Sequence, residues 1–527
     1  MENIPCRICS DKIEEFSFKE GKFVSELGFG TYGRVDKFVI NKKDYAVKSF
    51  NFDIDQPATI RELSTLAVVK GHPDFIQMEG VSFNKNPLAI LELAKGSLDK
   101  YIDEKLNPEY IKHAMYITIR GIRDLNKIGI YHRDIKPDNI LIMEDGSPVI
   151  ADFGLAKSGP FEWVNMTDPV YTIWYRPPEV ILKELKLVET YNAKSEVWAI
   201  GIILWEMLTA KDRQITNMLR QNNAIQQLAK ISIMFNRKGN TPTGWDKNIT
   251  DGLTELVSIW ESIWLGKQED SIEVHMNNLF KGDVDPLALD LMLKMLTINP
   301  SERISLDDAL KHEYFSNVKV ESVPKNIIMF NIMKFPELPE CSLFLEKEDD
   351  PKIVWIKLSE YILGLCDDRL DFFLASHLSR CLFARKNISE NNYQKYATSC
   401  LLLGLSYNGK VFETSDDILE LSWESFLMVG LQLHLPTSWH IFNNKYKFNT
   451  MDEDDKSFIV GLMILMECLY PENSVSTNVK LSVSIINSPS DRKISDLIEN
   501  IMDLSGYLSD PFLLSTIDKL KILFGIV

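Results

Sequence analysis

The order of the secondary-structure patterns most constrains the fold of this chain. From about Phe16 to Glu92 the sequence reads as short strands, among them KFVSELG, GRVDKFVI, DYAVKSF, IQMEGVSF and LAILEL. One helical stretch, from Thr59 to about Lys70, interrupts these strands, and long helical patterns dominate from Ser97 onward. Strands followed by helices in one run predict an α+β domain with a sheet lobe and a helical lobe.

The chain is long enough for several domains, because 527 residues exceed what one hydrophobic core usually supports. The α+β pattern ends near residue 315, and residues 1–15 precede it as an N-terminal extension. Residues 316–350 contain three prolines, irregular patterning and an acidic end, which predict a linker. Residues 351–527 return to helical patterns and predict an all-α domain.

Charge and cysteine content narrow the class of protein. The net charge of −17 and the pI near 5.1 argue against nucleic acid and anionic membranes as partners. Seven scattered cysteines do not form a disulfide framework, so we expect an intracellular protein, cytoplasmic or nuclear. The most apolar segments, VWAIGIILWEML and FIVGLMILMECL, each contain a glutamate and are shorter than the ~20 residues of a membrane span. Both predict buried helices.

A glycine-rich segment, LGFGTYGRVDKFVI, lies between two strand-like runs. It contains Gly28, Gly30 and Gly33, with Val35 two residues further on. The dinucleotide-binding fingerprint would require a helix after the glycines, and a strand pattern follows here. A hairpin that lies over phosphates fits better, because glycine lets backbone amides approach an anion closely.

A lysine on a strand and a glutamate on a helix follow this hairpin. Lys48 lies on the alternating strand YAVKSF, and Glu62 lies on the helix that begins near QPATIREL. An exposed lysine at a sheet edge is the ordinary interpretation of Lys48. The functional interpretation is a lysine that faces phosphate oxygens and pairs with Glu62.

The most specific stretch is YHRDIKPDNILI, which is followed by IADFGLA. The first contains His132, Arg133, Asp134, Lys136 and Asn139 in order, and the second contains an Asp-Phe-Gly sequence that begins at position 152. Together with the glycine-rich hairpin and the lysine strand, these motifs resemble the signature set of the protein kinases. The resemblance covers roughly residues 16–315 and implies a bilobal kinase fold with a β-rich N-lobe and an α-helical C-lobe.

The resemblance implies a chemical role for each motif residue. Asp134 would accept the proton of the substrate hydroxyl, and Lys136 would lie beside the transferred phosphate. Lys48, fixed by Glu62, would hold the α- and β-phosphates of ATP. Asp152 and Asn139 supply the oxygen ligands that suit Mg²⁺. The lysine at position 136 is typical of serine/threonine kinases.

The resemblance also implies which residues line the ATP site. They come from the glycine-rich hairpin, the lysine strand and the segment that joins the lobes: Leu27, Gly28, Gly30, Gly33, Val35, Ala46, Lys48, Glu92 and Ala94.

Two later motifs match the family with departures. YTIWYRPPEV resembles the end of an activation segment, with Pro177 in place of alanine and Glu179 expected to pair with Arg303. SEVWAIG resembles a helix whose aspartate normally braces the catalytic loop. Glu196 replaces that aspartate and Ala199 replaces a serine. We expect the longer carboxylate to accept the same hydrogen bonds.

Finer features resemble the cyclin-dependent kinases. WYRPPE, the ALKHEYF ending and a helical insert around residues 211–285 are similar to the group that contains these enzymes and the MAP kinases. Thr31 and Tyr32 are at positions where that family carries inhibitory phosphorylation, and Thr167 is at its activating position. The alternative interpretation of Thr167 is an ordinary loop threonine. The segment QPATIREL resembles the helix that faces a cyclin, with one residue fewer.

The resemblance implies a cluster of basic residues that receives a phosphate on Thr167. Arg61 and Arg133 are at two receiving positions, and Lys157 replaces the third arginine. A phosphate adds a charge of about −1.5 to −2 and orders a loop when arginines meet it. Lysine lacks the two-pronged geometry of arginine, so this cluster is weaker or the need for the phosphate is relaxed.

The C-terminal helical region resembles a cyclin box. Ser379–Leu382 and Leu431–Thr437 match two of its segments in order. The cyclin lysine that meets the kinase has no match, since Ser406 lies near its position, and the cyclin glutamate also lacks one. A generic helical extension is the alternative interpretation.

We therefore expect a serine/threonine kinase that uses ATP and Mg²⁺ on protein substrates. The resemblance implies a preference for proline after the phosphoacceptor. If the C-terminal region is a cyclin-like domain, its fusion to the kinase domain would allow activation in cis. Two alternatives remain: a kinase that needs a separate cyclin in trans and carries an unrelated docking module, and a pseudokinase scaffold.

Overall fold

The structure is a computed structural model. It describes residues 14–15, 21–30, 33–51, 56–82, 87–102, 106–158, 172–185, 193–235, 272–320, 323, 351–366, 372–376, 378–379, 393–407, 418–419, 421–423, 425, 453–469, 482, 497–498, 501–502 and 508–524.

The N-lobe is built on one six-stranded sheet. Its strands are β1 (Glu14–Glu15), β2 (Lys22–Gly30), β3 (Gly33–Ile40), β4 (Lys43–Phe50), β5 (Met78–Ser82) and β6 (Leu88–Glu92). Their order across the sheet is β1–β5–β6–β4–β3–β2, and all neighbours are antiparallel except β1, which is parallel to β5. The strand β1 lies inside the segment expected to be an N-terminal extension, so the sheet begins slightly earlier than the sequence pattern indicates.

Helix α1 (Gln56–Val68) joins β4 to β5. It begins three residues before the predicted start at Thr59, because Pro57 suits the first turn, where a missing N–H breaks no hydrogen bond. Ala46, Lys48 and Phe50 alternate along β4 and are buried. Ala46 and Phe50 share a hydrophobic cluster with Ile60 and Leu63 of α1.

The C-lobe is mainly helical. Its helices are α2 (Leu98–Ile102), α3 (Pro108–Lys127), α4 (Pro178–Glu184), α5 (Lys194–Thr209), α6 (Arg213–Thr216), α7 (Ala224–Phe235), α8 (Ile272–Leu279), α9 (Pro286–Met295) and α10 (Leu306–Leu310). Helix α5, from the apolar segment VWAIGIILWEML, is buried along almost its whole length, with Trp198 and Trp205 fully buried. The predicted burial of that segment is therefore confirmed. A Cβ on Gly201 would lie 2.9 Å from Met295, so glycine permits the close packing of α5 against α9.

Five short strands frame the loops that follow α3. They are β7 (Gly96–Ser97), β8 (Ile130–Tyr131), β9 (Ile140–Ile142), β10 (Pro148–Ile150) and β11 (Lys157–Ser158). Strands β10, β9 and β7 form one small sheet, and β11 pairs with β8. These strands flank the segment around Asp152 and residues 132–139, the loop that is expected to be catalytic and is called the catalytic loop below. The sheet followed by helices confirms the α+β prediction.

Four longer helices represent the C-terminal region: α11 (Pro351–Gly364), α12 (Tyr393–Tyr407), α13 (Glu453–Leu469) and α14 (Pro511–Phe524). Helix α11 packs on α12 and α13, and α13 packs on α14. A Cβ on Gly461 would lie 2.2 Å from the Thr516 hydroxyl oxygen, so only glycine allows this α13–α14 approach. Every element described between residues 351 and 527 is a helix.

Part of the cyclin-box match lies outside the described residues. This applies to residues 380–382 and to Leu431–Thr437. Helix α12 itself packs against α1 of the N-lobe. The all-α, cyclin-like domain and the boundaries of the linker stay predictions.

Helix α13 contains FIVGLMILMECL, the second apolar segment that was expected to form a buried helix. Buried side chains line α13 from Ile459 to Met466, in agreement with that expectation. None of the described helices combines the length and the apolar character needed to cross a membrane.

A buried ion pair fixes α4 to the lower part of the C-lobe. The two terminal nitrogens of Arg303 donate to Glu179 at 2.7 and 3.0 Å, as the sequence predicted. Arg303 also donates to the backbone carbonyls of Thr297, Lys194 and Ile298. Its side chain is fully buried, so these five hydrogen bonds replace all of its water contacts.

We expect Arg303→Met to lower the free energy of unfolding by about 3 to 5 kcal/mol, because it leaves the Glu179 carboxylate buried and unpaired. Lys311→Met is the matched control. Lys311 pairs with Asp308 at the surface, with side chains 75% and 66% exposed, and its loss should leave the free energy of unfolding nearly unchanged. Urea unfolding followed by tryptophan fluorescence measures both. Equal costs for the two variants would contradict this account of the pair.

Candidate active site

Three charged side chains meet where the two lobes face each other. The Lys48 ammonium lies 2.6 Å from both carboxylate oxygens of Glu62 and 2.9 Å from one oxygen of Asp152. Lys48 comes from β4, Glu62 from α1 and Asp152 from the segment after β10. The predicted Lys48–Glu62 pair is therefore present in the structure, and the pair joins the sheet, the helix and the C-lobe.

The local field keeps this lysine and Asp152 charged. Burial lowers the pKa of Lys48, but the charges of Asp152 and Glu62 outweigh it and raise the pKa above its ordinary value. Burial raises the pKa of Asp152, but the charge and hydrogen bond of Lys48 outweigh it and hold the pKa below its ordinary value. A cationic ammonium and an anionic carboxylate therefore face the cleft at neutral pH.

Three polar side chains surround the Asp134 carboxylate: Lys136 and Asn139 from the catalytic loop, and Thr172 from the segment before α4. The Oδ2 atom of Asp134 accepts hydrogen bonds from Lys136 Nζ at 2.6 Å and from Asn139 Nδ2 at 3.1 Å. Its Oδ1 accepts a long hydrogen bond of 3.4 Å from the Thr172 hydroxyl. Because Oδ2 is more heavily bonded, Oδ1 is the oxygen better placed to accept a further proton.

An aromatic contact supports Asp152 from below. Phe153 is fully buried, with its ring centroid 5.2 Å from that of His132 and 5.8 Å from that of Phe75. His132 Nε2 lies 3.0 Å from the Ala151 carbonyl oxygen, so this nitrogen is the donor. His132 Nδ1 accepts from the Asp134 backbone N–H. Burial lowers the pKa of His132, so the ring is neutral and holds one tautomer.

The residues expected to bind Mg²⁺ have suitable chemistry. Asp152 is an ionised carboxylate with its side chain one-third exposed toward the cleft. Asn139 Nδ2 donates to the Asp134 carbonyl at 2.8 Å, which turns its amide oxygen into the group that can coordinate a cation. Among the described residues, no group of three or more His, Cys, Asp or Glu side chains is arranged to hold a metal ion. Mg²⁺ commonly uses one or two protein oxygens together with phosphates and waters, so two ligands fit.

Seven of the nine expected ATP-lining residues lie on three adjacent strands. Leu27, Gly28 and Gly30 are on β2, and Gly33 and Val35 are on β3. Two further residues, Ala46 and Lys48, are on β4, and Val35 is the Cα partner of Lys48 across β3 and β4. Glu92 ends β6, and Ala94 follows it in the connection to the C-lobe. The structure thus places these positions in the N-lobe sheet and in the connection to the C-lobe, and their contact with ATP stays a prediction.

Glu196 of α5 braces the catalytic loop from beneath. Its Oε1 accepts from the Arg133 backbone N–H at 2.9 Å, as expected for the longer carboxylate. Arg133 has a backbone φ of 68°, in the left-handed region that costs a non-glycine residue energy. The buried carboxylate therefore holds a strained backbone directly before Asp134.

The regulatory residues divide into two groups. The predicted phosphorylation sites Thr31, Tyr32 and Thr167 lie outside the described residues. The three predicted phosphate receivers are described: Arg61 on α1, Arg133 in the catalytic loop and Lys157 on β11.

Arg61 makes a contact that the sequence did not indicate. Its Nε donates to the backbone carbonyl of Tyr407 at 3.0 Å. Tyr407 is the last residue of α12, where helical carbonyls lack intrahelical partners. The arginine therefore connects the helix that carries Glu62 to the C-terminal region.

Three site residues escaped sequence reasoning. Thr172 was quoted only as part of YTIWYRPPEV, although its hydroxyl also lies 3.4 Å from Lys136 Nζ. Asn126, at the end of α3, donates to Glu196 at 2.6 Å. Tyr407 contributes only a backbone carbonyl, which leaves no signal in residue identity.

The arrangement has the parts needed for phosphoryl transfer: a charged lysine held by a glutamate, oxygen ligands for a divalent cation, and a carboxylate beside a second lysine. A family model described as protein kinase domain matches residues 22–315, which is more than half of the 527-residue chain. The sheet lobe and helical lobe fit the bilobal kinase fold, so the chain belongs to the protein kinase family.

Proposed function

We propose that this protein is a serine/threonine kinase similar to the cyclin-dependent kinases, activated in cis by its own C-terminal region. The observation that carries the proposal is the contact of α12 with α1. In the same structure, α1 presents Arg61 to Tyr407 and Glu62 to Lys48. The helix that completes the site is therefore held from the outside by a later part of the same chain.

Asp134 serves as the base that accepts the proton of the substrate hydroxyl. Its Oδ1 is the less heavily bonded oxygen, and the Thr172 hydroxyl at 3.4 Å orients it. Lys136, 2.6 Å from the other oxygen, places a positive charge where the transferred phosphate accumulates negative charge. Lys136 and Thr172 together support a serine or threonine hydroxyl as the acceptor, and the family resemblance implies proline as the next residue of the substrate.

Lys48 holds the ATP phosphates, and Glu62 holds Lys48. Two short contacts to Glu62 restrict the ammonium to one direction, so part of the entropic cost of binding is met before ATP arrives. Asn139 and Asp152 would hold Mg²⁺, which when bound neutralises charge on the phosphates. Glycine-rich β2 and β3 cover the nucleotide, and Glu92 and Ala94 offer backbone groups to its base.

The burial of α1 supports activation in cis. Eleven of its thirteen residues are buried, among them the polar Thr59, Ser64 and Thr65. A helix that lies on a sheet with its outer face in water buries one stripe only. Helix α12 packs on α1, so the outer face is covered by the C-terminal region.

The linker turns this docking into an intramolecular event. The effective concentration of a tethered partner reaches the mM range for a suitable linker. Docking then favours the position of α1 in which Glu62 reaches Lys48. A separate cyclin in trans would need the same face of α1 that α12 occupies, which favours the cis arrangement over that alternative.

The phosphate-receiving cluster has a second partner in this scheme. Arg61 donates to the C-terminal carbonyl of α12, at the negative end of the helix dipole. A phosphate on Thr167 would add to this interaction through Arg133 and Lys157. We therefore propose that phosphorylation increases an activity that docking already supports.

Asp134→Asn should lower kcat for phosphotransfer by about 10² to 10⁴-fold, the range of general-base contributions, with little change in ATP affinity. Transfer of labelled phosphate from ATP to Ser- and Thr-containing peptides measures this, with proline or alanine placed after the acceptor. The matched control is Asp145→Asn, in the surface turn between β9 and β10. A wild-type protein that transfers no more phosphate than Asp134→Asn would identify a pseudokinase scaffold and overturn the proposal.

Arg61→Met should lower kcat/KM about tenfold or more, because it removes a charge-assisted hydrogen bond that holds α1. Lys43→Met is the control, since Lys43 pairs with Glu79 on the same lobe with its side chain 60% exposed. Peptide phosphorylation measures both variants.

The role of Arg61 toward Tyr407 is separated from its role toward a phosphate by repeating the measurement in a Thr167→Ala background. We expect the loss to persist there, because the contact with α12 does not involve Thr167. A loss that disappears in this background would assign Arg61 to the phosphate alone and contradict docking through Tyr407.

A further inference from the structure

One side chain outside the known motifs joins three segments under the catalytic loop. Asn126 lies in the last turn of α3. Its Nδ2 donates to Glu196 Oε2 at 2.6 Å and to the Ile130 carbonyl at 3.1 Å. It therefore ties α3 to α5 and to the start of β8, from which the chain enters the catalytic loop.

The side chain of Asn126 is used as a donor only. No donor among the described residues reaches its buried Oδ1. Burying an amide oxygen without a partner costs free energy. The amide Nδ2 instead donates both of its hydrogens, one to Glu196 and one to the Ile130 carbonyl. This indicates that donation to these two groups determines the orientation of the Asn126 side chain.

The acceptor of this bond is the residue that holds Arg133. Glu196 is completely buried, and each of its carboxylate oxygens accepts a different hydrogen bond. Oε2 accepts from Asn126 Nδ2, and Oε1 accepts from the Arg133 backbone N–H. With Oε2 anchored, Oε1 has a fixed position under a backbone whose φ is 68°. Asn126 thus acts on the loop through Glu196 without touching it.

The hydrogen bond from Asn126 influences the ionisation of the buried Glu196 carboxylate. Burial raises its pKa to about 7, and hydrogen bonds from Asn126 and from the backbone of Arg133 and His132 act in the opposite direction. The charged or titratable side chains that face it are Arg133, whose charge also lowers the pKa, and Tyr131 on β8. Removing the Asn126 bond would raise the pKa further, so less of the ionised acceptor would remain at neutral pH.

We propose that Asn126 is a positioning residue for phosphotransfer: it orients the Glu196 carboxylate so that this carboxylate holds the backbone before Asp134. The proposal deepens the proposed function and rests on Asp134 as the base. Phosphate transfer by the wild-type protein tests that function, whereas the pH dependence of the variants tests this inference, so the two can fail separately.

The test is the pH profile of kcat for Asn126→Leu, which keeps the size of the side chain and removes the donor. We expect kcat to fall about fivefold at pH 7, because a smaller fraction of the Glu196 carboxylate is then ionised. The ionised form of Glu196 is the better acceptor, and it is depleted first in the variant as the pH falls. The ratio of wild-type kcat to variant kcat should therefore rise toward pH 6 and fall below about two at pH 9. The KM for ATP should stay unchanged, because Asn126 lies away from Lys48 and the interlobe connection.

Two further variants complete the design. Asn126→Ser, which is smaller and keeps α3 intact, should show the same pH-dependent gap if the leucine variant folds poorly. In the double variant Asn126→Leu/Glu196→Gln, the neutral glutamine still offers an oxygen to Arg133, so the added pH dependence should vanish. Lys127→Ala, at the next and half-exposed position of α3, is the control. A loss of equal size at every pH, or no loss in Asn126→Leu and Asn126→Ser, would overturn the proposal.

Discussion

The contact between Lys48 and Glu62 is the interaction on which the site depends. Both groups are buried, and a buried charge is stable only when its partner is in place. The register of the sheet fixes the position of Lys48, whereas Glu62 lies on α1, a helix joined to β4 by a connecting segment. The position of α1 therefore decides whether the lysine is oriented, and in the proposed mechanism the elements that pack on α1 influence phosphotransfer.

Two supports converge on the reacting groups from opposite directions. On the outer side, α12 packs on α1, and the Tyr407 carbonyl of α12 accepts a hydrogen bond from Arg61. From beneath, α5 and α3 supply Glu196 and Asn126, which hold the backbone before Asp134. The catalytic loop and α1 thus owe their geometry to residues that touch no substrate, which is how enzymes usually position groups within fractions of an ångström.

The sequence allowed prediction of the residues that stand in ordered motifs, because their residue types and order indicate a chemical role. Lys48, Asp134 and Asp152 could be placed because glycine-rich, His-Arg-Asp and Asp-Phe-Gly patterns occur in sequence with suitable strands between them. The start of α1 was predicted too late, because helical periodicity becomes clear only after Pro57. Asn126 and Tyr407 could not be found, because each acts on a partner 70 or 346 residues away and one of them acts through its backbone.

The central claim is that the C-terminal region holds α1 in its active position. The most direct measurement compares kcat/KM of residues 1–320 with that of the full chain, and then adds residues 321–527 as a separate protein. The account predicts that the shorter chain is at least about tenfold less active, the scale of a modest shift between two states, and that the added region restores activity in proportion to its concentration. A shorter chain as active as the full chain, with no partner present, would contradict it.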